Sequence, residues 1–361
     1  MLKPLFKYPG GKSSEYPIFK HMIPKHQRYV EPFIGGGAVY WADSADDYLI
    51  NDYSGEITSI YTLTRDKDSL FLNYFKELSL LWDNKQGAVN PVMLELEKAL
   101  FNNEYQIKVP VDALETLFAG KTLFLPYYDV FLEEFCVSFK RKIASLRKIQ
   151  EDKQIKNLAD NALGVIGASI YMMVRKVYNS IDLERNQALK TVLFFFLREF
   201  SYSSMFRYNS SGGFNVPFGG NTYAKKSLFS RYEQLIKPET IKKLEKTEIL
   251  TGDFSNALID SVGTFIFLDP PYDSDFSTYN QTEFDKEEQV RLRNSLINLS
   301  KSKWLLVIKN TDFILDLYSR KGWYISRFTK NYSVNFKNRN NQSVEHLIIT
   351  NYNPKDILNG N

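Results

Sequence analysis

The sequence predicts an α/β protein in which one mostly parallel sheet domain is interrupted by a long, mainly helical insertion. Three observations lead there. Short apolar runs alternate with helical stretches over residues 1–65. The same alternation returns from about residue 245. Between them, from 66 to 200, apolar residues recur at helical spacing and no strand pattern intervenes.

The elements follow in order. Residues 13–23 read as a helix after a Pro-Gly-Gly turn, and 28–33 as a buried strand. Gly35, Gly36 and Gly37 make a tight turn into a helix over 38–44. A second strand spans 47–51 and another helix 55–65. Helices are expected at 69–82, 91–102, 130–150, 160–178 and 187–200. Residues 201–223 set aromatic residues around Ser-Ser-Gly-Gly, which is hairpin or loop chemistry. Strands then fall at 247–251, 264–269, 304–309, 323–329 and 345–351, with helices at 254–260, 285–300 and 311–319. The expected domains are 1–65 with 245–361, a discontinuous sheet domain, and 66–244, the insertion. The Asn-rich stretch 335–342 reads as a mobile loop.

Composition excludes more than it assigns. Hydrophobic content of 43% and charged content of 24% describe an ordinary globular chain. A net charge of +4 permits nucleic-acid binding without arguing for it. Cys136 is the one cysteine, so neither an internal disulfide nor a cysteine zinc site can form. His21, His26 and His346 show no ligand spacing, and no metal is expected. The first residues are too broken by lysine and proline for a signal peptide, and no apolar run approaches a membrane span. The expectation is a cytoplasmic protein with no membrane partner.

Three motifs carry chemistry. Glu31-Pro-Phe33-Ile-Gly35-Gly-Gly37 sits at a strand-to-helix turn, where glycine lets backbone N–H groups approach a ligand. Asp52 ends the next strand, well placed to accept two ribose hydroxyls. The pattern is not GxGxxG, which disfavours a dinucleotide fold. Asp269-Pro270-Pro271-Tyr272 follows an apolar strand: a carboxylate, a free Pro270 carbonyl and a flat ring on a stiff loop suit an aromatic amine. Tyr8-Pro-Gly10-Gly11-Lys12 can clamp a ligand through glycine amides, a cation and an aromatic face.

These motifs, in this order and joined by Arg207-Tyr-Asn209 and Phe214-Asn-Val-Pro217-Phe-Gly, resemble the Dam-type (D12 class) DNA N6-adenine methyltransferases. The resemblance implies a Rossmann-like S-adenosylmethionine-dependent methyltransferase sheet with the insertion as a DNA-recognition domain. It makes Tyr8, Gly10, Gly11, Lys12, Glu31, Phe33, Gly35, Gly37, Asp52 and Asp269 the S-adenosylmethionine contacts. It makes Asp269, Pro270, Pro271 and Tyr272 the pocket for a flipped adenine, whose amine hydrogens Asp269 and the Pro270 carbonyl would accept. Many relatives have tryptophan where this chain has Tyr8, and stacking survives that change. The resemblance is weakest over 66–185, where this chain is longer than compact members.

The partner implied is double-stranded DNA, with a cognate restriction endonuclease acting independently as a second expected partner and a monomer as the default. Residues 204–247 carry eight basic side chains against three acidic ones, a candidate phosphate track. Within it Arg207 can bind guanine bidentately, with Tyr202, Met205, Asn209, Pro217, Lys225 and Lys226 as further DNA contacts. In relatives this hairpin goes with sites beginning GAT, so GATC is the first expectation and a longer GAT-containing site the second. Lys337 and Arg339 offer weaker phosphate contacts. Competing readings are an RNA adenine methyltransferase, a cytosine N4-methyltransferase (where serine usually replaces Asp269) and a catalytically silent DNA-binding protein.

Overall fold

The computed structural model describes residues 2–101, 108–152, 157–181, 185–271, 284–331 and 343–358. Tyr272, Lys337 and Arg339 therefore lie outside the described residues, as does the whole Asn-rich stretch 335–342.

The chain runs α1 (Tyr16–Phe19), β1 (Arg28–Glu31), α2 (Ala38–Ala42), β2 (Asp47–Asp52) and α3 (Gly55–Arg65). Helices α4 (Ser69–Asp83), α5 (Val89–Phe101), α6 (Val111–Phe118), α7 (Tyr128–Asp152), α8 (Leu158–Ser180) and α9 (Gln187–Phe200) follow. Three short helices, α10 (Asn221–Ala224), α11 (Phe229–Leu235) and α12 (Pro238–Glu245), lead to β3 (Thr247–Thr251) and β4 (Thr264–Leu268). The chain closes with α13 (Lys286–Ile297), β5 (Lys303–Lys309), α14 (Asp312–Tyr318), β6 (Tyr324–Asn331), β7 (Ser343–Thr350) and α15 (Pro354–Leu358).

Two compact units result. The first holds Met1–Pro4, Gly10–Thr62 and Lys242–Asn361; the second holds Leu5–Pro9 and Leu63–Ile241. Residues 5–9 correct the sequence expectation, which put them with the sheet. The reason is packing within the second unit: the Phe6 ring meets Phe195 edge-on at 5.8 Å, and the Lys7 N–H donates to Glu199 Oε1 at 2.9 Å.

The first unit is a seven-stranded sheet in the order β3-β2-β1-β4-β5-β7-β6. Strands β3, β2, β1, β4 and β5 are mutually parallel, and β7 runs antiparallel to both β5 and β6. A parallel strand covered on both faces reads as a continuous apolar run, and all five residues of β4, Thr-Phe-Ile-Phe-Leu, are buried. Val30, Leu49, Ile266, Leu268, Leu306 and Ile349 point to one face, covered by Leu292 and Leu296 of α13 and by Ile314 and Tyr318 of α14. On the other face Phe19 of α1 stacks on Phe267 at 5.5 Å.

The second unit is helical with an aromatic core. Trp82 lies against Phe200 at 4.1 Å and Phe196 at 5.1 Å, and its indole N–H donates to the Lys226 carbonyl. Gly164 of α8 lets Asn221 lie close to the helix: a Cβ there would stand 2.0 Å from Asn221 Oδ1, so that side chain would have to move.

Several boundaries differ from expectation. The helix placed at 13–23 is only α1 plus a 3-10 turn, because Ile23 turns extended ahead of Pro24. The helix at 254–260 is a 3-10 turn, Phe254–Ala257. Helices α6, α10, α11, α12 and α15 were not expected. Three of them begin beside Pro110, Pro238 and Pro354, a residue that stops a helix interior yet suits a helix start.

Candidate active site

In an open α/β sheet, ligands bind beyond the carboxyl ends of the strands where strand order reverses. Here the chain passes from β1 to β2 on one side, while β4 lies on the other. Val30 pairs with both Leu49 and Ile266, so the loops after β1, β2 and β4 leave the same edge side by side. Within the first unit, Gly35 with Asp52, and Asp269 with Lys12, are brought to that edge, although Glu31 and Asp269 are far apart in sequence.

The centre is an ion pair. Lys12 Nζ lies 2.6 Å from both Asp269 oxygens and donates to the Gly10 carbonyl at 3.0 Å. Lys12 is buried, and Gly10 reaches the required turn through φ +79°. Burial raises the Asp269 carboxyl above the ordinary aspartate value, and the Lys12 ammonium opposes this without cancelling it. A carboxylate offers about four acceptor positions. An ammonium bridging both oxygens therefore leaves room for a substrate donor. Beyond Lys12, Glu15 pairs with Lys330. Burial alone would raise the Glu15 pKa, but the hydrogen bonds and charges around it, led by Lys330, bring it below the usual glutamate value. Cation and carboxylate thus alternate along this wall.

The loop after β1 is fixed by its neighbours. Asp52 Oδ2 accepts the Gly35 N–H at 2.9 Å, and Oδ1 accepts the Ser54 N–H at 3.0 Å. Both Asp52 oxygens are thereby oriented. Gly37 opens α2 at φ +66°, and a Cβ there would stand 3.0 Å from the Tyr61 hydroxyl oxygen. Glu31 has an internal use: its Oε2 accepts from the Tyr29 hydroxyl at 2.6 Å and from the Tyr40 N–H at 3.1 Å, capping α2 from outside. Burial holds its pKa well above the ordinary value, and the Asp269 charge adds to this, so the two motifs feel each other electrostatically. The Phe33 ring packs against Phe254 and Phe284, leaving its backbone as the part available to a ligand.

Two positioning residues escaped the sequence reading. Gln289 of α13 is fully buried and donates to the Pro271 carbonyl at 3.0 Å, anchoring the proline loop. Asn51 donates to the carbonyls of Pro32 and Gly252, both at 3.0 Å, tying the loop after β1 to the one after β3. Neither has a sequence signature, because each acts through backbone carbonyls brought in by the fold.

In the second unit, Ser201 bridges Phe218 and Tyr208 bridges Phe214 in antiparallel fashion, which forms the expected hairpin. From 214 to 217 burial alternates: Phe214 and Val216 in, Asn215 and Pro217 out. Helix α8 holds the inner face, with the Tyr171 hydroxyl donating to the Val216 carbonyl at 2.8 Å and Asn179 Oδ1 accepting the Phe214 N–H at 2.8 Å. The outer face presents Tyr202, Arg207 and Pro217, and Met205 is half-buried. Asn209 is occupied in the turn, its Oδ1 accepting from the Ser211 and Gly213 N–H groups. Ser203 and Ser204, beside Tyr202, adopt φ of 53° and 54°, a costly conformation for serine.

The basic stretch separates. Lys225 pairs with Asp160 at 2.7 Å. The Lys226 ammonium sits over the Tyr223 ring, its pKa brought down to about 8 by burial and by neighbouring cations. Lys243 is buried in the first unit, donating to the Asp43 carbonyl, and cannot be a phosphate contact. Among the described residues no helix is long and apolar enough to cross a membrane.

The sequence profile of the D12 class N6 adenine-specific DNA methyltransferases matches residues 8–336. The type II methyltransferase M.CviBI of Paramecium bursaria Chlorella virus NC1A is 39% identical over 167 residues, 44% of this chain and 60% of that protein. The type II methyltransferase M.MjaIII of Methanocaldococcus jannaschii is 25% identical over 368 residues, 97% of this chain and 99% of its own length. The DNA adenine methylase of Vibrio cholerae serotype O1 is 20% identical over 308 residues, 84% of this chain and 78% of that protein.

Proposed function

The chain belongs to the D12 class of N6 adenine-specific DNA methyltransferases, and on that footing we propose that it methylates adenine flipped from duplex DNA, with S-adenosylmethionine as donor. The observation that carries this reading is the Lys12–Asp269 pair at the β1–β4 switch point. S-adenosylmethionine supplies an already activated methyl group. The residues that would hold it fit: Asp52, oriented by two backbone N–H groups, takes ribose hydroxyls, and the backbone from Phe33 to Gly37 lines the methionine part. Glu31, Gly10, Gly11, Lys12 and Tyr8 complete the proposed cofactor contacts.

An exocyclic adenine amine is a weak nucleophile because its lone pair is conjugated with the ring. Asp269 and the Pro270 carbonyl accept its two hydrogens and hold the nitrogen so that the lone pair is released from the ring. Lys12 keeps the Asp269 carboxylate charged and correctly turned until the amine arrives. Gln289 fixes the loop through Pro271, and Tyr272 supplies the stacking face. Positioning accounts for most of the rate.

The outer face of the hairpin reads the site. Arg207 contacts guanine in the major groove, Tyr202 wedges beside the flipped base, and Pro217 lies against a thymine methyl. GATC is the first proposed site and a longer GAT-containing site the second. The test is transfer of tritiated methyl from S-adenosylmethionine to DNA and to RNA, with sequencing of methylated adenines in expressing cells. The expected result is label in DNA at a motif containing guanine. Label in RNA alone, or in neither polymer, overturns the reading.

A further inference from the structure

Arg198, near the end of α9, is 5% exposed, yet among the described residues no carboxylate pairs with it and its Nε has no hydrogen-bond partner. Its neighbour Glu199 is committed elsewhere, to the Lys7 N–H and to Arg231. Three aromatic faces hold the guanidinium instead. Its carbon lies 4.7 Å from the Tyr8 ring centroid, 5.2 Å from Phe194 and 4.5 Å from Phe206. A guanidinium is flat and weakly hydrated, so it stacks where an ammonium would not.

The three rings come from three places. Tyr8 is the proposed cofactor contact. Phe194 belongs to α9. Phe206 is on the buried face of the hairpin and immediately precedes Arg207, the proposed base reader. One side chain therefore touches both the segment that meets the cofactor and the segment that meets the base. Segment 5–9 is further pinned to the same helix through Phe195 and Glu199. We propose that Arg198 is a positioning residue that couples cofactor engagement at Tyr8 to the setting of the recognition hairpin. The proposal rests on the functional reading above. Coupling of this kind is reciprocal: a ligand that orders the Tyr8 ring favours the hairpin setting that reads DNA, and cognate DNA favours cofactor binding by the same factor.

The experiment measures duplex affinity with and without S-adenosylhomocysteine, for a cognate duplex and for one with the guanine replaced. In the wild type, S-adenosylhomocysteine tightens cognate binding by about fivefold or more. In Arg198→Met, which keeps the bulk and loses the flat cation, that factor falls to about one, while the affinity of each ligand alone stays within about threefold. Arg198→Lys behaves like Arg198→Met, because charge without a planar face does not restore the stack. Should Arg198→Met melt far below the wild type, Arg198→Lys and Phe206→Leu carry the test in its place. Wild-type coupling in these variants overturns the proposal. So does a loss of DNA affinity that is equal with and without S-adenosylhomocysteine and lowers the salt slope by about one, which marks a phosphate contact. A wild type that binds no S-adenosylhomocysteine sinks the functional reading, and this inference with it.

Discussion

The loop after β4 and the hairpin at 201–218 are both short connections that carry polar residues, and they are built in opposite ways. At the first, Asp269 sits against a buried lysine, and the loop that carries it is anchored two residues on, where Gln289 donates to the Pro271 carbonyl. At the second, only the inner face is anchored, and Arg207 and Pro217 project outward, with one long contact from Arg207 to the Asn215 carbonyl at 3.4 Å. A group that does chemistry must be placed before the substrate arrives. A group that reads a base edge must be presented to solvent and gains its partner on binding.

Predictions follow from that contrast, and the largest concerns Asp269. Asp269→Ala lowers kcat by about a thousandfold or more, roughly 4 kcal/mol, with the fold and duplex affinity retained and some loss of melting temperature from the unpaired Lys12. A loss in kcat no greater than that of a hairpin variant would erase the distinction between the two loops. Lys12→Met comes next and sharpens the electrostatics. The ammonium lowers the Asp269 pKa against burial, so its removal moves the acid limb of the kcat/KM profile to higher pH. An unmoved limb means that another group sets it. Arg207→Ala costs roughly 1–3 kcal/mol in discrimination at the guanine, read as relaxed sequence preference in methylated-adenine sequencing with kcat little changed. The smallest effect belongs to Lys225→Ala. Because Lys225 already pairs with Asp160 at the surface, duplex affinity changes by less than about threefold at moderate salt. A large change there would show that the ion pair opens onto DNA.

Legibility in the sequence tracked the same divide. The central parallel strands were readable because burial on both faces forces apolar runs, as in Thr264–Leu268. The proximity of Asp269 to the glycine turn was implied by the family resemblance, and the strand order gives the physical cause. Three things were not readable. Gln289 and Asn51 act on backbone carbonyls, which every residue has. Proline-led helices such as α12 were not expected, because the same residue that suits a helix start stops a helix interior. The placement of residues 5–9 depends on ring packing against α9, which no spacing in that pentapeptide encodes. Local charge counting also overreached, since Lys243 contributes to the basic stretch and is buried in the sheet unit.

Strands β2 and β3 are neighbours in the sheet, so everything from Leu63 to Ile241 occupies a single crossover between adjacent parallel strands. A crossover of a dozen residues would suffice, and the entropy of closing a longer one grows only with the logarithm of its length. The sheet is therefore nearly indifferent to what that connection contains. Grafting the crossover of a relative between Thr62 and Lys242 tests whether the insertion carries the choice of site, as proposed above.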